Sequence, residues 1–551
     1  MGIIQFLLTL GDSSKPSRMS SFSLKQFFYD EFKKNNLDTE NKAFIQALEI
    51  ALFSERSLFL TGRAGTGKTT FLHTLKRINL DKNMAVIAPT GVAAINAKGK
   101  TIHSFFRIDP RQLFLPGDPR LQPNARDKKT SIFKTFSFAK PQLDVIRRLD
   151  ILIIDEVSMV RVELLDVIDQ ILRVFRKKLH LPFGGVQLIL IGDPFQLPPV
   201  VRNEDWQHLS QHYNTRFFFG SHAFKSLQPI HIELQKIYRQ KDEEFKALLN
   251  RVRESSHTFD DIALLNQTVK KYSFDLLDQG YVLLGTHNQT IAEINSKKLE
   301  ELKGTEHHFP GIIKDNFPPN MAPFDPMDLT FKVGAQVIFM KNNSFLGYYN
   351  GMIGKITKIE KNSIQVQSMP GRIYEVEREL WENVEFKYNE KEDHVESEVI
   401  GTFSQFPLKL AWAITIHKSQ GLTFERAILD ISRSFESGQV YVALSRCTTL
   451  EGLVLKNKIQ SNSVKTSPDS IEFALQKSGD AYIEQELEHA RAMVAVKYAF
   501  QAFKVGNYPL AERLYAEIQG IQDITLFPKW EQFLRVRKWL QYKNQLRAIP
   551  K

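Results

Sequence analysis

The feature that most constrains this chain is the nine-residue stretch GRAGTGKTT at residues 62–70. A short apolar run, residues 58–60, precedes it, and a segment of helical character, residues 71–76, follows it. A strand, a glycine-rich loop and a helix with this Gly-x-x-x-x-Gly-Lys-Thr spacing predict a phosphate-binding loop. Its backbone N–H groups and the helix N-terminus would surround phosphate oxygens, with Lys68 on the β- and γ-phosphates and the Thr69 hydroxyl on Mg²⁺. The predicted nucleotide contacts are Gly62, Gly65, Thr66, Gly67, Lys68, Thr69 and Thr70.

Length and charge set limits on the rest of the chain. At 551 residues it is too long for one hydrophobic core, so several domains are expected. The formal net charge is +11, and residues 111–148 alone hold nine Lys/Arg against three Asp/Glu. This excess permits a polyanionic partner without proving one. The single cysteine, Cys447, excludes an internal disulfide framework, and no apolar run is long enough to predict a membrane span.

Continuous apolar runs alternate with helical stretches along the chain. The runs at residues 84–88, 149–154 and 186–191 are each followed by a polar motif. Such runs are typical of strands in parallel α/β sheets, which bind ligands at the carboxyl ends of their strands. Similar runs at residues 281–286, 426–430 and 440–444 indicate strands or helices of a second sheet of this kind.

Two further regions differ in character from the α/β segments. Residues 330–404 contain four short strand-like runs, 336–340, 354–359, 364–367 and 372–376, separated by turn signals. They predict a small antiparallel barrel inserted into the second α/β domain. Within this region the charged residues 389–398 are expected to form an exposed loop. From about residue 480 the pattern is helical and amphipathic.

Side chains suited to phosphate chemistry follow the apolar runs. An aspartate at the end of a strand, such as Asp155, can hold Mg²⁺, and the adjacent Glu156 can orient an attacking water. Gln196, in the block GDPFQLPPV, can sense a γ-phosphate because an amide both donates and accepts hydrogen bonds. Arg239 and Arg446 are candidate arginine fingers, which stabilise the charge that develops on a transferred phosphoryl group.

Small polar residues and aromatic residues recur at residues 88–91, 101–106 and 415–423. Hydroxyl, lysine and histidine side chains suit phosphate contacts, and aromatic rings suit base stacking. Together they indicate a track for a single nucleic-acid strand, although each run taken alone is equally compatible with core or loop structure. The candidate contacts within these runs are Pro89, Thr90, His103, Phe105, Thr415, His417 and Lys418.

In their order along the chain these blocks resemble the motifs of the PIF family of superfamily 1 DNA helicases, the 5′-to-3′ branch that also contains RecD-like enzymes. The resemblance covers roughly residues 37–460. It runs from the phosphate loop through APTGVAA, IDEVSM, LPPV, YRQ and HKSQG to VALSR at residues 442–446. Residues 158–185 resemble the segment that separates PIF enzymes from other RecD-like relatives.

The resemblance implies an α/β fold with two RecA-like parallel-sheet motor domains, ATP and Mg²⁺ in the cleft between them, and single-stranded DNA across their tops. The implied segments are an N-terminal leader (1–36), a first motor domain (37–233) with a basic wedge insertion (107–146), a second motor domain (234–329 and 405–470), an inserted Src-homology-3-like β-barrel (330–404) and a helical C-terminal extension (471–551).

The resemblance also assigns roles by position. The implied catalytic residues are Lys68, Glu156, Gln196, Arg239 and Arg446, and the implied Mg²⁺ ligands are Thr69 and Asp155. Gly421 and Glu425 would approach the nucleotide, and Lys341, Asn342 and Asn343 would add a DNA contact from the barrel. Asn41 stands where the family usually has a glutamine that senses adenine, and Gln46 is the alternative for that contact.

These inferences predict an ATP-dependent 5′-to-3′ DNA helicase that acts on single strands and junctions, including forked and G-quadruplex structures. The family implies roles in DNA repair, recombination and telomere maintenance. Two alternatives remain: an ATP-driven translocase that remodels complexes with weak unwinding, and a DNA-binding scaffold switched by nucleotide. We expect a monomer in the free state, a location in bacterial cytoplasm or in a eukaryotic nucleus or mitochondrion, and a protein partner for the C-terminal extension. That extension resembles one tetratricopeptide-type helix pair at residues 499–515, with a docked helical appendage as the simpler alternative.

Overall fold

A computed structural model of the chain describes residues 37–78, 82–123, 130–238, 240, 242–270, 275–324, 327–343, 345–368, 371–431 and 437–504, with isolated residues at 33, 511, 514, 535, 538 and 539. Arg239, the predicted leader apart from Lys33, and most of the predicted helix pair beyond residue 504 lie outside the described residues. The chain divides into two compact units. The larger comprises residues 57–74 and 82–477, and the smaller comprises residues 1–56, 75–81 and 478–551.

The larger unit contains a six-stranded parallel sheet. Its strands are β1 (Leu58–Gly62), β2 (Met84–Ala88), β3 (Lys100–Thr101), β4 (Ile151–Ile154), β5 (Gln187–Ile191) and β6 (Ile230–Leu234), in the order β3-β2-β4-β5-β1-β6. Strands β1, β2, β4 and β5 are buried along their whole length, which explains their continuous apolar sequences. Because β5 lies between β4 and β1, the loops that follow these three strands are neighbours at the carboxyl edge of the sheet.

The helices that accompany this sheet are mostly short. They are Lys68–Ile78, Gly91–Asn96, Ile102–Phe106, Ile132–Thr135, Lys140–Arg148, Val162–Phe175, Asn203–Leu209 and His222–Leu227, with 3-10 turns at Pro119–Leu121, Val157–Met159, Pro182–Gly185 and Phe218–Gly220. The described part of the predicted wedge insertion packs into the core of the first motor domain, since its buried residues Phe114, Leu121, Ile132 and Phe136 belong to the same apolar cluster as Leu165 and Phe175. Its assignment as a wedge, like the other domain boundaries, stays a prediction.

A second parallel sheet in the same unit is formed by β7 (Val282–Gly285), β18 (Ala413–Thr415), β19 (Ala427–Leu429) and β20 (Leu453–Leu455), in the order β18-β7-β19-β20. Its helices are Glu243–Arg253, Phe259–Gln267, Asp275–Asp278, Asn288–Glu301, Gln439–Leu444 and Pro468–Ala474. The run at residues 440–444, which the sequence left open as strand or helix, is therefore helical. Two parallel sheets confirm the predicted α/β class with two RecA-like domains.

Between β7 and β18 the chain forms antiparallel sheets. Strands β11 (Gln336–Phe339), β12 (Ile353–Ile359), β13 (Ile364–Ser368), β14 (Ile373–Val376) and β17 (Leu408–Leu410) make one sheet, β9 (Ile312–Asp315), β15 (Glu379–Asn389) and β16 (His394–Gln405) a second, and β8 (His307–Phe309) pairs with β10 (Leu329–Phe331). The four strands predicted between residues 336 and 376 are confirmed. The comparison with a Src-homology-3-like barrel stays a prediction.

The expectation of an exposed loop at residues 389–398 is wrong about the loop, although most of these residues are exposed. Only residues 390–393 form a turn, and the flanking residues belong to the long hairpin β15–β16. Its end packs against the first motor domain, where Phe386 and Val395 join the same hydrophobic core as Phe105. The Lys100 ammonium also binds the Glu385 carboxylate at 3.0 Å. In the hairpin, buried side chains roughly alternate with exposed ones. The exposed positions are largely charged, and for this reason the sequence of the hairpin resembles that of a loop.

The smaller unit pairs the helix Lys42–Phe53 with the long helix Asp480–Lys504. Asn41 caps the first helix by accepting the Phe44 N–H. Arg491 binds Glu49 at 2.6 Å across the pair, and both side chains are largely buried. The C-terminal helix is thus docked on the N-terminal one. Among the described residues, no helix has the length and apolar character needed to cross a membrane.

Candidate nucleotide and DNA site

The phosphate loop lies between β1 and the helix that begins at Lys68. Gly62 and Gly67 have positive φ angles of 155° and 95°. A side chain at Gly62 would clash, since its Cβ would lie 2.6 Å from the Thr66 hydroxyl oxygen. The Lys68 ammonium donates to the Gly62 carbonyl at 2.5 Å and so lies over the loop. The predicted strand, loop and helix are therefore formed, with Lys68 at the place where phosphates would bind.

The acidic pair Asp155 and Glu156 directly follows β4. Burial, and then the charge of Glu156, raise the pKa of Asp155 to about 7. Burial likewise raises the pKa of Glu156, and the charges of Lys68 and Arg446 offset this only in part. Lys68 therefore lies within electrostatic reach of both carboxyl groups, and Arg446 within reach of Glu156. Two carboxylates that are costly to ionise without a cation are suited to a divalent metal.

The donor set suits Mg²⁺. Thr69, exposed with Thr70 in the first turn of its helix, offers a hydroxyl oxygen, and Asp155 offers carboxylate oxygen. Hard oxygen ligands in small number are how Mg²⁺ is held in sites that it shares with phosphate and water. Among the described residues there is no group of three or more His, Cys, Asp or Glu side chains that could hold a metal alone. The fit is to a cation completed by nucleotide phosphates.

Gln420 connects the two motor domains at this site. Its side-chain amide donates to Glu156 Oε2 at 3.2 Å and to Gln196 Oε1 at 3.1 Å. Gln196 in turn donates to Asp193 at 3.4 Å. The sequence placed Gln420 within a motif without giving it a role. The sequence pointed to Gln420 only through its place in the same motif as His417. No rule of residue spacing predicts which side chain of that motif contacts Glu156.

Arg446 is fully enclosed. Its guanidinium donates to the Val442 carbonyl at 2.9 Å, to the Ser445 hydroxyl at 3.0 Å, and to the Ser419 and Leu422 carbonyls at 3.4 Å. Burial lowers its pKa, although nearby Tyr441 and Glu156 raise it in part. The predicted arginine finger therefore lies within electrostatic reach of Glu156, while its hydrogen bonds are made to its own domain, including the carbonyls of residues 419 and 422. Its predicted counterpart, Arg239, lies outside the described residues.

The remaining predicted nucleotide contacts are Gly421, Glu425, Asn41 and Gln46. Gly421 has a φ of 83° in an exposed turn, and Glu425 is exposed four residues later. Asn41 and Gln46 belong to the smaller unit. The Asn41 oxygen caps its own helix, whereas Gln46 Nε2 is buried without a hydrogen-bond partner among the described residues. The adenine contact of either amide stays a prediction.

The predicted DNA residues lie at strand ends. Pro89 and Thr90 follow β2, and the Thr90 hydroxyl caps the next helix by accepting the Ala93 N–H. The side chain of Thr415, the last residue of β18, is buried and accepts the Lys418 N–H at 3.3 Å. His417 is half-buried, and Lys418 is exposed. His103 is partly buried, and burial and then Arg161 lower its pKa, which disfavours the charged imidazolium. 

Phe105 is not placed for base stacking. It is 7% exposed, and its ring packs edge-on against Phe106 at 4.8 Å and Phe386 at 6.0 Å. Because the Phe105 ring is buried between two other aromatic rings, it has no exposed face on which a base could stack. Residues 101–106 combine small polar and aromatic residues because they form a short helix with one buried side. The sequence alone does not distinguish such a helix from a row of aromatic side chains that stack on bases.

The three barrel residues assigned to DNA make contacts within the protein. The Lys341 ammonium binds Glu379 at 3.0 Å and the Leu380 carbonyl at 2.7 Å. Asn342 accepts the Asn350 N–H at 2.7 Å, and Asn343 donates to Glu379 at 3.2 Å. The structure thus gathers Lys341 and Asn343 at Glu379, and a DNA phosphate would compete with that carboxylate for both.

Comparison with known proteins gives a consistent result. A family model described as PIF1-like helicase matches residues 36–266. The ATP-dependent DNA helicase PIF1 of Homo sapiens is 32% identical over 429 residues, which cover 76% of this chain but 60% of the human protein. Bacteroides sp Pif1 in complex with ADP-AlF4 has a TM-score of 0.72 at 39% identity, and the match covers 79% of this chain and 96% of that one. Bacteroides Pif1 bound to ssDNA has a TM-score of 0.52 at 39% identity, with 80% and 96% covered.

Among the described residues, Lys68, Glu156, Gln196, Gln420 and Arg446 lie near one another, and the matches extend well beyond the motifs that contain them. Although the chain spans only about 60% of the length of the human relative, it matches nearly all of the Bacteroides chain. This chain belongs to the PIF1-like helicase family.

Proposed function

We propose that this chain is an ATP-dependent DNA helicase that moves 5′-to-3′ along single-stranded DNA. The observation that carries the proposal is the Gln420 amide, which comes from the second motor domain and binds Glu156 and Gln196 of the first. A group that contacts the catalytic carboxylate from the other domain makes the chemistry depend on how the two domains meet. Hydrolysis at such an interface converts phosphate chemistry into relative movement of the domains.

The residues of the site divide the ATPase chemistry among them. The loop N–H groups and Lys68 bind the phosphates, Glu156 orients the attacking water, and Arg446 stabilises charge on the transferred phosphoryl group. Thr69 and Asp155 would hold Mg²⁺, which when bound neutralises charge on the β- and γ-phosphate oxygens.

The DNA track runs past this chemistry. Thr415, His417 and Lys418 stand between the end of β18 and Gln420, so a change at Gln420 is transmitted within five residues to the groups proposed to grip DNA. Relatives in this family have been crystallised with ssDNA. We place the strand-separating wedge in the basic insertion at residues 107–146, whose eight Lys/Arg against four Asp/Glu leave an excess of positive charge that attracts phosphate.

The test compares unwinding of duplexes with a 5′ or a 3′ single-stranded tail. The wild-type chain should separate the 5′-tailed duplex with ATP and Mg²⁺ and leave the 3′-tailed one paired. Lys68→Ala and Glu156→Gln should still bind the 5′-tailed DNA but not unwind it. Equal unwinding from 3′ tails would refute the polarity. DNA-stimulated hydrolysis without strand separation would support the translocase instead, and full unwinding by Lys68→Ala would refute an ATP-driven motor.

A further inference from the structure

A buried polar chain connects the phosphate loop to the helix that precedes Arg446. The Ala64 N–H, in the phosphate loop, donates to the Tyr441 hydroxyl at 3.2 Å. The same hydroxyl donates to Asp193 Oδ2 at 3.5 Å. Tyr441 is 4% exposed and Asp193 is fully buried, so water does not replace these bonds. One hydroxyl of the second motor domain therefore joins two loops of the first.

Arg253 fixes the far end of this chain. Its guanidinium donates to Asp193 Oδ1 at 3.1 Å and to Glu233 at 3.2 Å, and it lies over the Phe195 ring at 4.2 Å. Both oxygens of Asp193 are thus engaged, one by Arg253 and one by Tyr441. Breaking one bond of such a buried charged network leaves a group unpaired in a low-dielectric environment. The network therefore has few alternative arrangements.

The helix Gln439–Leu444 carries Tyr441 and ends two residues before Arg446. Its start also rests on the first motor domain. Gly438 has a φ of 80°, and a Cβ there would lie 2.6 Å from the Gln196 carbonyl oxygen. The short helix is therefore held at its start by the backbone of Gln196 and at its middle by the Tyr441 hydroxyl. A shift of either contact moves Arg446 with the helix.

We propose that Tyr441 is a positioning residue that couples occupancy of the phosphate loop to the placement of Arg446 and the adjacent DNA-binding segment. Phosphates bind to the backbone N–H groups of the loop. One of these groups, the Ala64 N–H, donates a hydrogen bond to the Tyr441 hydroxyl. Arg446 in turn donates to the carbonyls of Ser419 and Leu422, beside the proposed DNA residues. The coupling rests on the proposed function, because it links nucleotide binding with DNA binding.

The test is the thermodynamic coupling between nucleotide and DNA. Fluorescence anisotropy of a labelled oligo-dT gives the ssDNA affinity with and without a non-hydrolysable ATP analogue, and the ratio of the two is the coupling factor. Couplings between two sites in proteins are typically about 5- to 150-fold. We expect Tyr441→Phe to bring the factor at least threefold closer to one while the KM for ATP changes less than threefold.

The matched control is Tyr213→Phe. Tyr213 is also buried and also donates to an aspartate, Asp166, at 2.8 Å, but it lies outside the nucleotide site. This variant should keep the wild-type coupling factor. Arg253→Lys, which keeps the charge but loses the forked geometry, should reduce the factor in the same direction as Tyr441→Phe.

Three results would overturn the inference. These are an unchanged coupling factor in Tyr441→Phe, an equal loss in Tyr213→Phe, or a fall in Tyr441→Phe that follows only from lost ATP affinity. The proposed function is judged separately on the wild-type chain. Absence of ssDNA-stimulated hydrolysis there would refute the proposed function and this coupling with it, whereas normal unwinding with unchanged coupling would refute the coupling alone.

Discussion

Arg446 should have two separable roles, and Arg446→Lys distinguishes them. The guanidinium satisfies four acceptors within the second motor domain, the Val442, Ser419 and Leu422 carbonyls and the Ser445 hydroxyl. It also lies within electrostatic reach of Glu156. Lysine keeps the positive charge, but its single ammonium cannot reproduce a fork that reaches four acceptors in different directions.

The structural cost follows from the bonds that are lost. If the lysine ammonium reaches one or two of the four acceptors, two or three hydrogen bonds disappear, at about 1 kcal/mol each. The expected destabilisation is about 2 to 3 kcal/mol, which lowers the melting temperature of a domain of this size by roughly 5 to 10 °C. The catalytic cost is larger. An arginine finger contributes about 10³- to 10⁵-fold to kcat, so loss of its planar fork should lower ssDNA-stimulated kcat at least about 100-fold.

The matched control is Arg176→Lys. Arg176 also satisfies four acceptors, the carbonyls of Gly184, Ile146, Arg147 and Leu149 at 2.7 to 3.0 Å, but these lie on the first motor domain away from the acidic pair. We expect a similar fall in melting temperature and a kcat within about twofold of wild type. Melting curves and ATP hydrolysis with saturating oligo-dT measure both quantities. If both variants lost kcat equally, or if Arg446→Lys kept it, the catalytic role of Arg446 would be refuted.

Three further outcomes are expected. Gln420→Ala removes a hydrogen bond to the Glu156 carboxylate, worth about 1.5 to 3 kcal/mol, and should lower ssDNA-stimulated kcat roughly 10- to 100-fold with little change in the KM for ATP; unchanged kcat would contradict the bridge. Burial, and then Lys477, hold the pKa of His231 at about 4 against about 6.5 in an unfolded chain, so its contribution to stability is present above pH 6.5 and is lost as the pH falls toward 4. His231→Phe should remove about 2 kcal/mol of that pH dependence in urea unfolding between pH 5 and pH 7.5, and an equal pH dependence in the two proteins would contradict this. Phe386→Ala removes the hairpin ring that packs on Phe105 and should destabilise that contact by about 3 kcal/mol, seen as faster proteolysis within residues 389–394; equal cleavage rates would refute the packing role.

Six strands of the parallel sheets, β1, β2, β4, β5, β7 and β19, were predicted because they lie in short apolar runs, whereas β3, β6, β18 and β20 were not predicted. The phosphate loop and the acidic pair were equally predictable, because glycine spacing and a carboxylate after a strand are features of neighbouring residues in the sequence. The hairpin β15–β16 was not, because its buried positions, such as Phe386, depend on a partner more than 200 residues away in the chain. The prediction that Phe105 stacks on DNA bases was wrong for the same reason. An aromatic residue beside polar ones gives the same local pattern whether it stacks on a base or packs in the core.

By itself the sequence determined the α/β class, the family and the phosphate-binding chemistry of residues 62–70, because backbone conformation there is dictated by neighbouring residues. Only the tertiary structure decided which side chains complete that site. It brings Gln420 to Glu156 across 264 residues, and it brings Tyr441 to Ala64 across 377. It also turns Arg446 inward onto the backbone of its own domain. Such contacts depend on the packing of two separately folded sheets, and no local pattern of residues encodes the distance between them.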